Sequence, residues 1–106
     1  MAFNGSEGSA IDISKAQEWN GNYRAAHPQP NEVYSYFFGC DILQKILKQP
    51  GCMGIRIYYG LDGSVSKLVA VGANTDEDDQ IYGTFIVADD VPSGPPRSGV
   101  SNVLNS

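Results

Sequence analysis

The stretch from Gly39 to Asn74 constrains this chain more than any other part of it. Ile42, Leu43, Ile46 and Leu47 form one apolar helical stripe, and Lys45 and Lys48 fall late, where cations complement the helix dipole. Pro50-Gly51 then stops the helix. Beyond the stop, Met53, Ile55, Ile57, Tyr59 and Leu61 alternate with Gly54, Arg56, Tyr58 and Gly60, which is the period of a strand. Asp62-Gly63 signals a hairpin, and Val65 to Ala73 is the return strand, apolar on both faces. A two-residue turn sets Ile57 opposite Leu68 and a three-residue turn sets it opposite Val69; the residues do not choose between them.

The remaining elements follow from the same periodicities. A first helix is predicted from Ser14, with Gln17 completing a capping box, to about Ala26, where Pro28 disfavours helical geometry at His27. Ala16, Trp19 and Tyr23 give it an apolar stripe. The second helix spans about Asp41 to Lys48. It would reach back to Tyr34 on the spacing of Tyr34, Phe38, Ile42 and Ile46, but Gly39 weakens that longer version. Asn74 to Gln80 reads as an acidic connection, and Ile81 to Ala88 as a third strand. The expected fold is therefore α+β, two N-terminal helices packed on a three-stranded antiparallel meander. Residues 1–10 and 91–106, rich in Gly, Ser, Asn and Pro, are expected as flexible tails around a single domain over residues 11–90.

Charge and composition exclude several classes. The net charge is −5, and the seven basic residues are scattered, so there is no basic patch of the kind that neutralises phosphates; nucleic acid is not expected as a partner. No run approaches the ~18 apolar residues of a membrane helix, and the N-terminus lacks the basic start and apolar run of a secretory signal. With two cysteines and no export signal, the expectation is a cytoplasmic protein with reduced thiols.

The residues Asn22-Tyr23-Arg24, Phe38-Gly39, Ile42-Leu43, Gln49-Pro50-Gly51-Cys52 and Gly54-Ile55-Arg56-Ile57-Tyr58 resemble a widespread set of small bacterial proteins of unknown function. The resemblance covers about Ile11 to Gly72, and its most specific part is the Gln-Pro-Gly-Cys and Gly-Ile-Arg-Ile-Tyr run. It implies a compact cytosolic bacterial protein and assigns no activity, cofactor or catalytic residue.

Reaction chemistry finds little support. Cys40 falls at a helix start, where the dipole favours a thiolate, and His27 is the one histidine to serve as its base, but no signature brings the two together. Two cysteines twelve positions apart and one histidine do not make a zinc site. The Asp76-Glu77-Asp78-Asp79 cluster lacks the spacing and glycine of a calcium loop and reads as a solvated turn. The glycines form neither a dinucleotide fingerprint nor a P-loop. No cofactor, metal or catalytic residue is expected.

The aromatic residues carry more. Trp19, Phe38 and Tyr59 are expected in the core, but Tyr36-Phe37-Phe38 and Tyr58-Tyr59 place neighbours on differing faces, so one core cannot hold them all. Arg56 shares a strand face with Tyr58, opposite Val69 or Val71, and Tyr and Arg dominate interface hot spots. The leading expectation is a non-catalytic module that self-associates, as a dimer, through Arg56, Tyr58 and Val69. The second is a small-ligand binder with an aromatic groove near Tyr34, Tyr36 and Arg56. The third is an enzyme working through Cys40.

Overall fold

A computed structural model of the chain describes residues 2–105. In chain order the elements are α1 (Ile13–Ala26), β1 (Ser35–Tyr36), α2 (Cys40–Leu47), β2 (Gly54–Asp62), β3 (Val65–Ala73), β4 (Asp79–Gln80), β5 (Val87–Ala88) and β6 (Ser93–Gly94). The fold is α+β, with antiparallel sheets of two and four strands. The chain divides into two units, one of residues 2–7 and 38–91, the other of residues 8–37 and 92–105.

In the first unit α2 begins at Cys40 and ends where Pro50 and Gly51, the latter at φ +80, turn the chain toward the sheet. Its side chain Ile46, fully buried, packs with Ala70 and Ala88, and Phe38, Ile42, Cys52, Ile55 and Ile86 surround them. The cluster lies on one face of the sheet, because Ile55 pairs with Gly72 and Ala70 pairs with both Ile57 and Ala88.

The hairpin register differs from both expected alternatives. Asp62 pairs with Val65, so the turn is Gly63-Ser64, and Ile57 stands opposite Ala70 rather than Leu68 or Val69. Gly63 has φ +62 while Ser64 does not have positive φ, the pattern of a II′ turn with glycine first. Asp62-Gly63 and Gly63-Ser64 are both hairpin dipeptides, and the second one wins. The expected third strand is also redrawn. Instead of a continuous strand over residues 81–88, β4 and β5 each pair with β3 for two residues, and the segment between them turns through Gly83 at φ +64. The meander of three strands becomes a sheet of four.

Backbone directions follow from this register. The Asn74 N–H donates to the Asp78 carbonyl at 3.0 Å, in step with the Gly72–Gln80 pair. Even-numbered residues of β3 thus turn their backbone groups toward β4, and odd-numbered ones turn theirs toward β2. The β2 partners of those odd residues are Gly54, Arg56, Tyr58, Gly60 and Asp62. Ile55, Ile57, Tyr59 and Leu61 therefore present their N–H and C=O groups to the outer side of β2.

A polar network locks α2 to the sheet. Gln80 is 4% exposed; its Oε1 accepts from Gln49 Nε2 at 3.1 Å, and its Nε2 donates to the Pro50 carbonyl at 2.8 Å. Gln49 Oε1 accepts from the Ile86 N–H at 2.7 Å. These amides fit because residue 72 has no side chain. A Cβ there would meet Gln80 Oε1 at 2.5 Å, Cys52 Sγ at 3.0 Å and Gln49 Nε2 at 3.1 Å.

The second unit is built differently. Its helix α1 has Asp12 as N-cap and makes no side-chain cap bond, so the capping box expected at Ser14 does not form, and α1 buries no residue. Trp19, expected in the core, is exposed, as is Tyr59 in the first unit. The segments expected as tails carry specific bonds. In the second unit, Tyr34 N–H donates to the Gly94 carbonyl at 2.7 Å, Phe37 N–H to the Pro92 carbonyl at 2.8 Å, and Arg24 Nη1 to the Leu104 carbonyl at 2.6 Å. In the first, Phe3 N–H donates to the Thr75 carbonyl at 3.0 Å and Thr75 Oγ1 donates to the Phe3 carbonyl at 2.8 Å.

Gly72→Ala tests the network. Overpacking a filled site costs about 1–3 kcal/mol, and we expect a loss of that size in urea unfolding. Gly54→Ala, where a Cβ meets nothing within 4 Å, is expected to change stability by less than about 0.5 kcal/mol.

Candidate functional site

Strand alternation places Arg56 and Tyr58 on the face of β2 opposite to the α2 core, paired with Val71 and Val69. The same face carries Asp79, the β4 partner of Ala73. Arg56 reaches across β3 to Asp79, with Nη1 donating to Oδ1 at 2.6 Å and also to the Glu77 carbonyl at 3.2 Å. The Tyr58 hydroxyl donates to the other oxygen, Asp79 Oδ2. Val71 and Ala73, the β3 residues between these side chains on this face, are 2% and 3% exposed. One carboxylate thus gathers an arginine and a tyrosine over a buried apolar floor.

The turn before β4 delivers that carboxylate. Asn74 Oδ1 accepts the N–H groups of Asp76 and Asp78 at 2.9 and 3.0 Å, and Glu77 takes φ +69. The acidic run is therefore a tight side-chain-capped turn. Its last member, Asp79, leaves solvent for the sheet. Tyr58 and Asp79 hold the Arg56 guanidinium still higher than its ordinary pKa, the tyrosine contributing most and desolvation opposing. Arg56 is a permanent cation.

Beside Arg56 lies a cleft of about 290 Å³, near the lower end of ligand-pocket volumes. Phe3, Met53 and Ile55 supply its apolar lining, and Arg56 and Glu7 its charges. The Arg56 guanidinium carbon stands 5.4 Å from the Phe3 ring centroid, in cation–π range. Glu7 accepts the Asn4 N–H at 3.0 Å and the Gly5 N–H at 2.9 Å. The Asn4 bond is the largest cause that lowers its pKa, followed by its own N–H, so the carboxylate holds this turn until the pH falls through the lowered value.

The other expected site residues are distributed as follows. Val69 sits directly opposite Tyr58. Tyr34 and Tyr36 belong to the second unit and not to the one that holds Arg56. There the Tyr34 hydroxyl donates to the His27 carbonyl at 2.7 Å, and Tyr34 meets Tyr23 edge to face at 6.2 Å. His27 stacks on Tyr23 with ring centroids 4.0 Å apart, and its Nδ1 lies 3.0 Å from the Tyr23 carbonyl. Cys40 is exposed, its Sγ 3.7 Å from Asp41 Oδ1. Among the described residues no group of three His, Cys, Asp or Glu side chains gathers as metal ligands, and no helix is long and apolar enough to cross a membrane.

A second feature was not legible as a site in the sequence. On the α2 face, the distal half of β2 lies beyond the helix, and there Ile57, Tyr59 and Leu61 are 53%, 94% and 73% exposed. Among the described residues β2 pairs with β3 alone, so the outer backbone of this strand has no ladder partner. Comparison of the chain with protein families, with curated proteins and with solved structures found no match.

Asp79→Asn removes the charge that Arg56 and Tyr58 share. We expect it to lower the thermal midpoint, followed by circular dichroism, by several degrees. Asp78→Asn, on the exposed part of the turn, is expected to leave the midpoint unchanged.

Proposed function

We propose that this chain is a non-catalytic module whose work is self-association through the β2–β3 hairpin. The observation that carries this reading is the exposed half of β2. A strand with an unpaired outer edge and exposed Ile57, Tyr59 and Leu61 is a template for another strand. Arg56 and Tyr58 lie on the opposite face of this strand, with Val69 beside Tyr58 on β3, and their side chains reach away from the edge to Asp79. The Arg56–Asp79 bridge supports an edge contact over a face contact, because the two charges of the face already satisfy one another. Sedimentation velocity over a wide concentration range tests the reading. A concentration-dependent dimer is the expected result, shifted to monomer by Tyr59→Lys; a wild-type chain that stays monomeric throughout overturns it.

The cleft beside Arg56 favours a second reading, a binder of small anions. Arg56 lines this cleft with Glu7 and the apolar Phe3, Met53 and Ile55, and guanidinium donors beyond Nη1 suit a carboxylate or phosphate attached to a modest hydrophobic body. Differential scanning fluorimetry with inorganic phosphate and with acetate measures this. A rise in midpoint at millimolar concentration, lost in Arg56→Ala, is the expected outcome; no shift with either anion would remove the reading.

A further inference from the structure

Asn4-Gly5-Ser6-Glu7 form a turn in which each polar side chain bonds to its neighbours. Asn4 Oδ1 accepts the Ser6 N–H at 2.9 Å and the Ser6 hydroxyl at 2.6 Å. The Gly5 N–H donates to Glu7 Oε1 at 2.9 Å, and the Asn4 N–H donates to Glu7 Oε2 at 3.0 Å. Each contact suits a turn. Together they also assemble the parts of an acyl transfer: a nitrogen, a carbonyl, two donors at the carbonyl oxygen and a carboxylate at the nitrogen's proton.

The Gly5 nitrogen is the atom that closes a five-membered ring on Asn4 Cγ, through the backbone carbonyl carbon, Cα and Cβ of Asn4. Glycine adds no Cβ to obstruct that closure, and the site favours glycine twice over. Gly5 has φ +88, and a Cβ on it would stand 3.3 Å from the Met53 carbonyl oxygen.

We infer that Asn4-Gly5 is a self-modifying site, at which this turn converts the Asn4 amide through a cyclic imide to aspartate and isoaspartate. The Gly5 nitrogen attacks Asn4 Cγ and forms the N–Cγ bond as its proton passes to Glu7 Oε1. Charge gathers on Oδ1, between the two Ser6 donors. When the carbonyl re-forms, the Cγ–Nδ2 bond breaks, and Nδ2 takes the proton from Glu7 and leaves as ammonia. Water then opens the imide at either carbonyl, giving aspartate or, with the backbone rerouted through Cβ and Cγ, isoaspartate.

The same dipeptide at Asn20-Gly21 supplies a contrast within the chain. It lies inside α1, where the Gly21 N–H belongs to the helical ladder, and Asn20 Nδ2 donates to the Leu104 carbonyl at 3.4 Å. Conversion at Asn4 also acts on a cleft wall, since Phe3, Gly5 and Glu7 line the cleft beside Arg56. The imide nitrogen has no proton for Glu7, and isoaspartate lengthens the backbone between Phe3 and Gly5 by one carbon.

Peptide mapping by mass spectrometry of the full chain, aged at neutral pH, follows both sites. The products are a peptide lighter by one ammonia and then one in which NH has been replaced by O. A positioned base in an enzyme supplies about 10²–10⁴-fold. Ser6 and Glu7 are exposed to water, so a smaller factor, about tenfold, is expected of them. Asn4 should convert that much faster in the native chain than in guanidinium chloride, whereas Asn20 should convert more slowly in the native chain. Ser6→Ala and Glu7→Gln should each slow Asn4 in the native chain and leave its denatured rate unchanged. A native Asn4 rate equal to or below the denatured one, or one that neither substitution alters, overturns the inference.

Discussion

Two glutamine amides meeting over a glycine hold the first unit in its arrangement. Gln49, at the end of α2, and Gln80, on β4, bond to each other and to the chain around Pro50 and Ile86, directly above Gly72. Buried amides are costly unless every donor and acceptor is met, so such a contact admits few displacements. It fixes α2 over the proximal part of β3, and from that placement the burial pattern of the sheet follows. Ile55, Ala70 and Gly72 lie under the helix, whereas Ile57, Tyr59 and Leu61 lie past it. The lengths make this unavoidable. An eight-residue helix runs about 12 Å, and a nine-residue strand about 30 Å, so α2 cannot cover the hairpin to its tip.

Much of this unit was readable from residue order. The stop at Pro50-Gly51, the alternation of β2 and the common face of Arg56 and Tyr58 are local patterns, and local patterns survive folding. What was not readable depends on relations between distant segments. Two overlapping hairpin dipeptides, Asp62-Gly63 and Gly63-Ser64, shift the register by two between them, and alternation cannot arbitrate because β3 is apolar on both faces. Tyr59 was expected in the core since it shares a face with Ile55. Periodicity assigns a face, however, and says nothing about how far along that face the covering helix extends.

Asp79 shows the same limit from the opposite direction. In a run of four acids it looks like one more solvated charge, and only the Asn74-capped turn distinguishes it by bringing residue 79 beside Ala73. Once there, it is the partner of both Arg56 and Tyr58. Phe3 was hidden for a related reason, because nothing in a Gly- and Ser-rich segment announces an anchor. Its backbone bonds to Thr75 and its ring stands against Arg56. The signal available for both was chemical: an arginine set between isoleucines on a strand calls for a carboxylate and a cover.

The division of labour between the two faces of β2 bears on what the hairpin can meet. On the Arg56 face, charge is already neutralised by Asp79 and the floor of Val71 and Ala73 is already dry, so a partner pressed onto that face displaces bonds that exist. At the outer edge the balance reverses. Backbone groups of Ile57, Tyr59 and Leu61 have no ladder partner there among the described residues and the side chains beside them are exposed, so a strand laid along this edge would displace water and no bond within the chain. A strand edge protected against such pairing usually carries lysine, proline or an inward charge. From Ile57 to Leu61 this one carries none of the three.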